Sequence, residues 1–378
     1  MPKLPQPRKG ELVTIKSRPI KFSYWPTYRT SRRYGLHSHV YASNPWALIQ
    51  VSVRGQCPAK SRDEALASLE QAEFFYRDAV GSREWAAKPL PLYYCFMNLA
   101  KAFALTRGTQ TTFDRAQHGV SEQLGPGGRE LADAHLEVFP SPGSRGPNLF
   151  AEFSSALGAP IKTKKSVPLT SLLPQIVPGH RIWCDAAAEE ERFFAIESIP
   201  FFHTIAPKRL WATVQILRDD LDRADKPRKD LLKETTLQPL FREVEGIEDN
   251  DGRPVVQLEQ INPVAYTGRT ADKLADAVAV LRPYIWSTAI TIRPFRRYYL
   301  YASPAAEHPH LLPQPLSIYA ITYYLGSITR YRPQHFAKII SGDFGEFIQE
   351  FLTSQPSQFL YLMASDFAKR DVARAPLV

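Results

Sequence analysis

Apolar positions recur at helical spacing in two separated parts of the chain, with short β-branched and aromatic runs between them. From Ser61 onward, Leu66, Leu69, Ala72, Tyr76 and Val80 step by three and four residues, which predicts an amphipathic helix. Ser61 with Glu64 reads as its capping box, Asp63 suits the positive helix start, and Gly81 ends it. A second helix opens near Pro91 and runs through Leu92–Leu105 to a stop at Gly108. It is apolar nearly all round, which predicts a central core helix; Asn98 and Lys101 are its polar exceptions. Residues 119–148 are rich in Gly, Pro and Ser and read as connectors, with one strand at Ala134–Phe139.

Beyond the connectors, Arg192–Ile199, Leu210–Leu217, Val255–Ile261 and Ile290–Ala302 read as strands, and Asn250-Asp251-Gly252 as a turn. A helix over about Ala271–Ile285 interrupts them. Helical spacing returns from Pro315 through Ile328, then in Phe344–Leu352 and Pro356–Lys369. The pattern predicts an α+β fold. Its N- and C-terminal helices pack as one α module, possible kin of the HEPN bundles, with a β-rich middle unit. The expected divisions are a basic arm (1–40), an N-terminal helical part (41–148), a β-rich unit (149–302) and a C-terminal helical part (303–378) packed on 41–148.

Charge alters this picture at one end only. The net charge is +9, and residues 1–33 hold nine basic residues against the single acid Glu11, which leaves the rest of the chain nearly neutral. Such an arm suits weak contact with nucleic acid or anionic lipid, with Arg29, Arg32 and Arg33 as candidate binding residues, or else a solvated extension. Tyr24, Trp25, Tyr28 and Tyr34 predict that its second half packs onto the body. The N-terminus lacks an apolar leader segment and no stretch is long and apolar enough to span a bilayer, so a cytoplasmic protein is expected. Cys57, Cys95 and Cys184 match no metal or redox spacing and read as reduced structural thiols.

No phosphate loop, zinc-protease or nucleophile-elbow motif occurs; Gly125–Gly128 precedes no strand–helix signature, and His37-x-His39 and His308-Pro-His310 lack a third metal ligand. No cofactor or metal is expected. Arg330-Tyr331-Arg332-Pro333-Gln334-His335 has the R-x4-H spacing of HEPN ribonucleases. There Arg330 would stabilise phosphate charge and His335 would move a proton. Pro333 breaks the helix inside this motif, and a helix end with Arg330 and Arg332 near its last carbonyls is the plainer account.

The run Tyr93-Tyr94 to Asn98-Leu99-Ala100-Lys101-Ala102, the His118-Gly119-Val120 element, Ser327-Ile328-Thr329-Arg330-Tyr331-Arg332-Pro333, Phe347-Ile348 and Gln355–Leu360 occur in this order. Together they resemble the YaaC-like family over about residues 40–368. The resemblance brings no catalytic residues. It implies a non-enzymatic role in antiphage defence: a sensor that recognises an early, phage-encoded protein of a jumbo phage and recruits a membrane-acting effector protein. The alternative is a HEPN-type ribonuclease using Arg330 and His335.

Overall fold

The computed structural model describes residues 3–15, 17–26, 28–30, 33–35, 39–124, 131–142, 146–224, 231–246, 248, 252–291 and 297–375. The fold is α+β, and its chain divides into two compact units. One, here the helical unit, comprises 43–189 and 310–368; the other, the sheet unit, comprises 1–42, 190–309 and 369–378.

The helical unit is built on α1 (Pro45–Gln56), α2 (Ala59–Gly81), α3 (Pro89–Arg107), α4 (Leu149–Ala156), α5 (His180–Ala187), α6 (Gln314–Tyr331), α7 (Pro333–Ile340) and α8 (Gly345–Ala368). Helix α3 carries prolines in its first turn and ends at Gly108, whose φ of +72° lets its N–H cap the Ala104 and Leu105 carbonyls. Around it Phe96 stacks on Phe359 of α8 at 3.9 Å between ring centroids, and Phe103 meets Phe367 at 5.0 Å. Gly326 lets α6 approach α3 closely: a Cβ there would stand 3.2 Å from the Cβ of Tyr93. Buried Gln175 accepts from Ser317 Oγ (3.0 Å) and the Leu312 amide (3.3 Å) and donates to the carbonyls of Ser171 and His310, so the two halves of the unit share a satisfied polar joint.

Several helical details depart from the sequence pattern. Helix α2 starts two residues before Ser61, with Pro58 at its cap position and no side-chain cap bond. Ser61 and Glu64 instead hold a distant loop: Ser61 Oγ donates to Thr111 O (2.9 Å), and Glu64 Oε1 accepts the Phe113 N–H (2.7 Å). The buried face of α2 consists of Ser61, Ala65, Ser68, Leu69, Ala72 and Ala79, while Val80 is exposed. Small residues allow α3 to lie close, so packing distance outweighs side-chain size in choosing the face. Pro356 lies inside α8 rather than at a helix start. Burial of Phe351, Leu352, Phe359 and Leu360 on both sides of it favours one continuous helix over the local cost of the lost N–H bond. The segment 149–189, expected in the β-rich part, belongs to the helical unit, because Phe150 and Phe153 on α4 pack against Tyr319. The connector region contributes two strands of an antiparallel trio, Val120–Gln123, His135–Val138 and Lys165–Pro168. The first and last are too short and polar to stand out from sequence alone.

In the sheet unit the strands run in the order Glu11–Leu12, Phe201–Ile205, Lys208–Leu217, Val255–Gln260, Phe241–Val244, all antiparallel. A second sheet joins Phe193–Ala195, Tyr298–Tyr301 and Ile285–Ser287. The helix falls at Thr270–Leu281 and packs on Lys208–Leu217. The basic arm is structural from its first half on. Arg8 donates to the carbonyls of Gln260 (3.3 Å) and Ile261 (3.2 Å), and its guanidinium lies 5.1 Å from the Trp211 ring. A solvated extension is thus excluded for this stretch, since its charge meets strand-end carbonyls and an aromatic face. Tyr24 and Trp25 pack as expected, Tyr24 edge-on to Tyr298 at 5.7 Å and Trp25 beneath the Arg282 guanidinium at 5.3 Å, and Phe22 beside them meets Tyr298 at 4.9 Å; the side chains of Tyr28 and Tyr34 lie outside the described ones. Asp371–Arg374 belongs to this unit too and runs parallel to His39–Ala42.

Candidate functional site

In the helical unit the sequence elements at 93–101, 118–120 and 327–332 meet. Helix α3 supplies Tyr93 and, two turns on, half-buried Lys101. The next strand begins at Val120, and the turn before it carries His118. That turn is fixed by α4, whose free N-terminal amides of Leu149 and Phe150 donate to the carbonyls of Gln117 (2.9 Å) and His118 (3.1 Å). Gly119 is required here: its φ is +72°, and a Cβ would stand 2.6 Å from Asn148 Cβ. From α6 come Tyr323, Ser327 and Arg330, one helical face at steps of four and three residues.

The Tyr93 hydroxyl and His118 Nδ1 are 2.5 Å apart, and the Tyr323 ring lies 5.3 Å from that of Tyr93 and 6.1 Å from that of His118. Tyr323 Oη donates to Glu122 Oε2 (3.2 Å), and Arg332 Nη1 to Glu122 Oε1 (3.1 Å). Burial pushes the Glu122 carboxyl up, but hydrogen bonds from backbone, Ser327, Arg332 and Tyr323 outweigh it and hold the group below its usual range. His118 is pushed down, by burial of its ring first and then by the positive charges of Lys101 and Arg330. Lys101 is also lowered by burial, with Glu64 opposing. Among the described residues neither Lys101 nor Arg330 makes an ion pair, and the Arg330 guanidinium rests 4.9 Å from the exposed Tyr331 ring. The result is exposed His118 and Arg330 and half-buried Lys101 beside the buried phenols of Tyr93 and Tyr323, with the Glu122 carboxylate engaged by Tyr323 and Arg332.

The R-x4-H residues lie on different helices and in different surroundings. Helix α6 ends at Tyr331 and α7 begins at Pro333, so a break falls between them. Arg330 is exposed, whereas His335 is 5% exposed with Nε2 held by Tyr324 Oη at 3.0 Å. Burial, then Arg332 and Lys338, lower the His335 pKa. The plainer account holds for the Arg332 backbone, which caps α6 with its N–H on Ile328 O (2.8 Å), while the Arg332 side chain is drawn to Glu122 by charge. Of the arm candidates, Arg29 and Arg33 lie on a hairpin of Tyr28–Thr30 with Arg33–Gly35, while Arg32, like His37 and Gly125–Gly128, lies outside the described residues. His308 Nε2 is 3.3 Å from Tyr284 Oη. No three His, Cys, Asp or Glu among the described residues stand where they could hold a metal ion.

All three cysteines are free and buried. Sequence spacing overlooked one pair: Cys184 Sγ lies 3.3 Å from His180 Nε2, and His180 Nδ1 is 2.9 Å from the Pro174 carbonyl. A helical i,i+4 step is its only sequence trace, and that is common by chance.

Against this geometry stands a comparison with known families. The family model of YaaC-like proteins matches residues 24–367. The chain belongs to the YaaC-like family. The match takes in the motif residues of the site, from Tyr93 to Arg332, and much of the sheet unit. No curated protein and no solved structure matches the chain significantly. Among the described residues, no helix of this YaaC-like chain is long and apolar enough to cross a membrane.

Proposed function

We propose that this YaaC-like chain is a non-enzymatic sensor and adaptor of antiphage defence, acting in the cytoplasm and resembling JukA, the sensor of the jumbo-phage-killer system. It recognises a phage-encoded early protein and recruits a membrane-acting effector. The observation that carries this reading is the exposure of His118, Arg330 and Tyr331. These are residues of the elements by which the chain resembles its family, and residues needed only for packing have no reason to face solvent. Arginine and tyrosine are also the side chains that dominate binding at protein interfaces. A sensor must hold its effector more tightly once the phage product is bound, and a useful switch of about 100-fold takes roughly 2.7 kcal/mol of coupling. The test is effector affinity measured with purified proteins, with and without the early phage protein. Affinity that rises on addition supports the sensor. Equal affinities remove ligand-gated recruitment, and RNA cleavage abolished by His335→Ala, with no binding to either partner, replaces the sensor with the ribonuclease.

A further inference from the structure

Helices α1 and α2 form a hairpin turned at Cys57-Pro58, and each gives its inner face to the core. Ile49, Ser52 and Val53 of α1 are buried, and α1 packs on α8, where Gln56 Nε2 donates to the Phe367 carbonyl (3.2 Å). Ala65, Leu69 and Ala72 of α2 are buried, and α2 packs on α3. The outer faces of the two helices leave between them a groove of about 660 Å³. Most of its lining faces solvent, which suits one side of a larger partner better than an enclosed small molecule.

Two features set this face apart from an ordinary solvated helix surface. The first is apolar. Leu66 lines the groove, and Val51 and Phe74 are each 68% exposed. Helical spacing puts both on the groove faces, Val51 between Ala47 and Arg54 of the lining and Phe74 one turn beyond Glu70. The second is charge. Arg54 on α1 faces three carboxylates on α2, Asp63, Glu70 and Glu73. Glu73 Oε1 already accepts from Arg77 Nη2 (2.5 Å), whereas Asp63 and Glu70 are exposed and make no ion pair among the described residues. On a chain of net charge +9, the groove is locally acidic. Asp63 and Glu70 stand two helical turns apart, about 10 Å of rise, with Leu66 between them. A helix laid along α2 repeats at the same step. Basic residues two turns apart on it meet both carboxylates, while its apolar stripe covers Val51, Leu66 and Phe74. Arg54, on the opposite wall, favours an acidic residue on the other flank of that helix.

We infer that the α1–α2 groove is a docking site for an amphipathic, basic helix of a protein partner, with Asp63 and Glu70 as its charge contacts and Val51, Leu66 and Phe74 as its apolar contacts. The groove lies apart from the residues that carry the sensor reading and stands without it. A chain that binds such a helix yet fails to gate its effector loses only the sensor role, and the reverse result loses only this groove.

The probes are two synthetic helical peptides with the same leucine stripe, one with lysines two turns apart beside the stripe and one with glutamates there. Each is titrated into the full-length protein by calorimetry at fixed ionic strength. The lysine peptide should bind saturably, and the glutamate peptide at least about tenfold more weakly. Phe74→Ser should weaken the lysine peptide about tenfold. Asp63→Lys combined with Glu70→Lys should reverse the preference, a result that loss of fold cannot imitate. All three changes fall on exposed side chains, and equal melting temperatures will show that the fold is kept. Equal binding of the two peptides, no binding of the lysine peptide, or a preference unmoved by the charge reversal each overturns the proposal. So does a wild-type chain that sediments as a dimer and becomes a monomer in Phe74→Ser, because the groove then holds a second copy.

Discussion

In the sheet unit the carboxylates of Glu259 and Asp371 are 1% and 0% exposed, and each meets arginine. Glu259 Oε1 accepts from Arg242 Nε (3.0 Å) and Nη2 (2.6 Å), and its Oε2 from the Arg8 amide (2.7 Å). Asp371 accepts from Tyr298 Oη at 2.5 Å and lies 3.6 Å from Arg297 Nη2. In the helical unit, by contrast, His118 and Arg330 are exposed and Lys101 is half-buried, and among the described residues neither Lys101 nor Arg330 makes an ion pair. Buried charge that is paired and hydrogen-bonded serves the fold. Exposed charge without an ion-pair partner adds little to stability and is available for recognition. The difference separates residues that build this protein from residues it can use.

The largest effect should come from breaking a buried pair. Glu259→Gln leaves the Arg242 guanidinium, itself 39% exposed, beside an uncharged amide and is expected to cost about 2–3 kcal/mol, read as a lower denaturant midpoint. A cost below about 1 kcal/mol would erase the contrast between the units. Next is Gly119→Ala, which forces a side chain into left-handed backbone and against Asn148. About 1–3 kcal/mol of stability should go, together with a changed NMR environment for the His118 ring.

Acid sharpens the comparison further. The folded pKa values of His118 and His335 lie below the ordinary 6.5. Below that value the unfolded chain takes up protons that the folded chain refuses. Stability should therefore fall as pH drops from about 6.5 toward the folded values, and no further below them. His335→Gln should flatten that part of a melting-temperature profile, and an unchanged slope would show that its ring is not shielded. The smallest effect is expected at exposed Arg330, where Arg330→Gln should move stability by less than about 0.5 kcal/mol in chemical denaturation.

Much of the helical pattern was legible because it depends on neighbours in sequence. The apolar run of α3 and its stop at Gly108 need only local spacing and the left-handed freedom of glycine. So does the break at Pro333. Features set by distant partners were hidden. Ser61 and Glu64 have the form of a capping box, yet the loop at 111–113 claims both. Arg8 looks like one more charge of a solvated arm until Trp211 and the carbonyls at 260 and 261 are in place. Segment 149–189 was hard to place because the unit boundary at 189 falls in Glu189-Glu190-Glu191-Arg192, without glycine or proline, whereas the boundary near 309 lies among Pro304, Pro309, Pro313 and Pro315. The site was half visible: the elements holding Tyr93, Lys101, His118 and Arg330 could each be read, but only tertiary packing sets Tyr93 against His118 and Tyr323.

The most direct test of the central claim, that exposed Arg330 serves recognition while the buried pairs serve the fold, is the plating efficiency of a nucleus-forming jumbo phage. The hosts carry the effector with either the wild-type chain or Arg330→Glu at equal expression and equal melting temperature. The account predicts that the wild-type chain protects and that charge reversal at Arg330 abolishes protection. Full protection by the stable Arg330→Glu protein would contradict it.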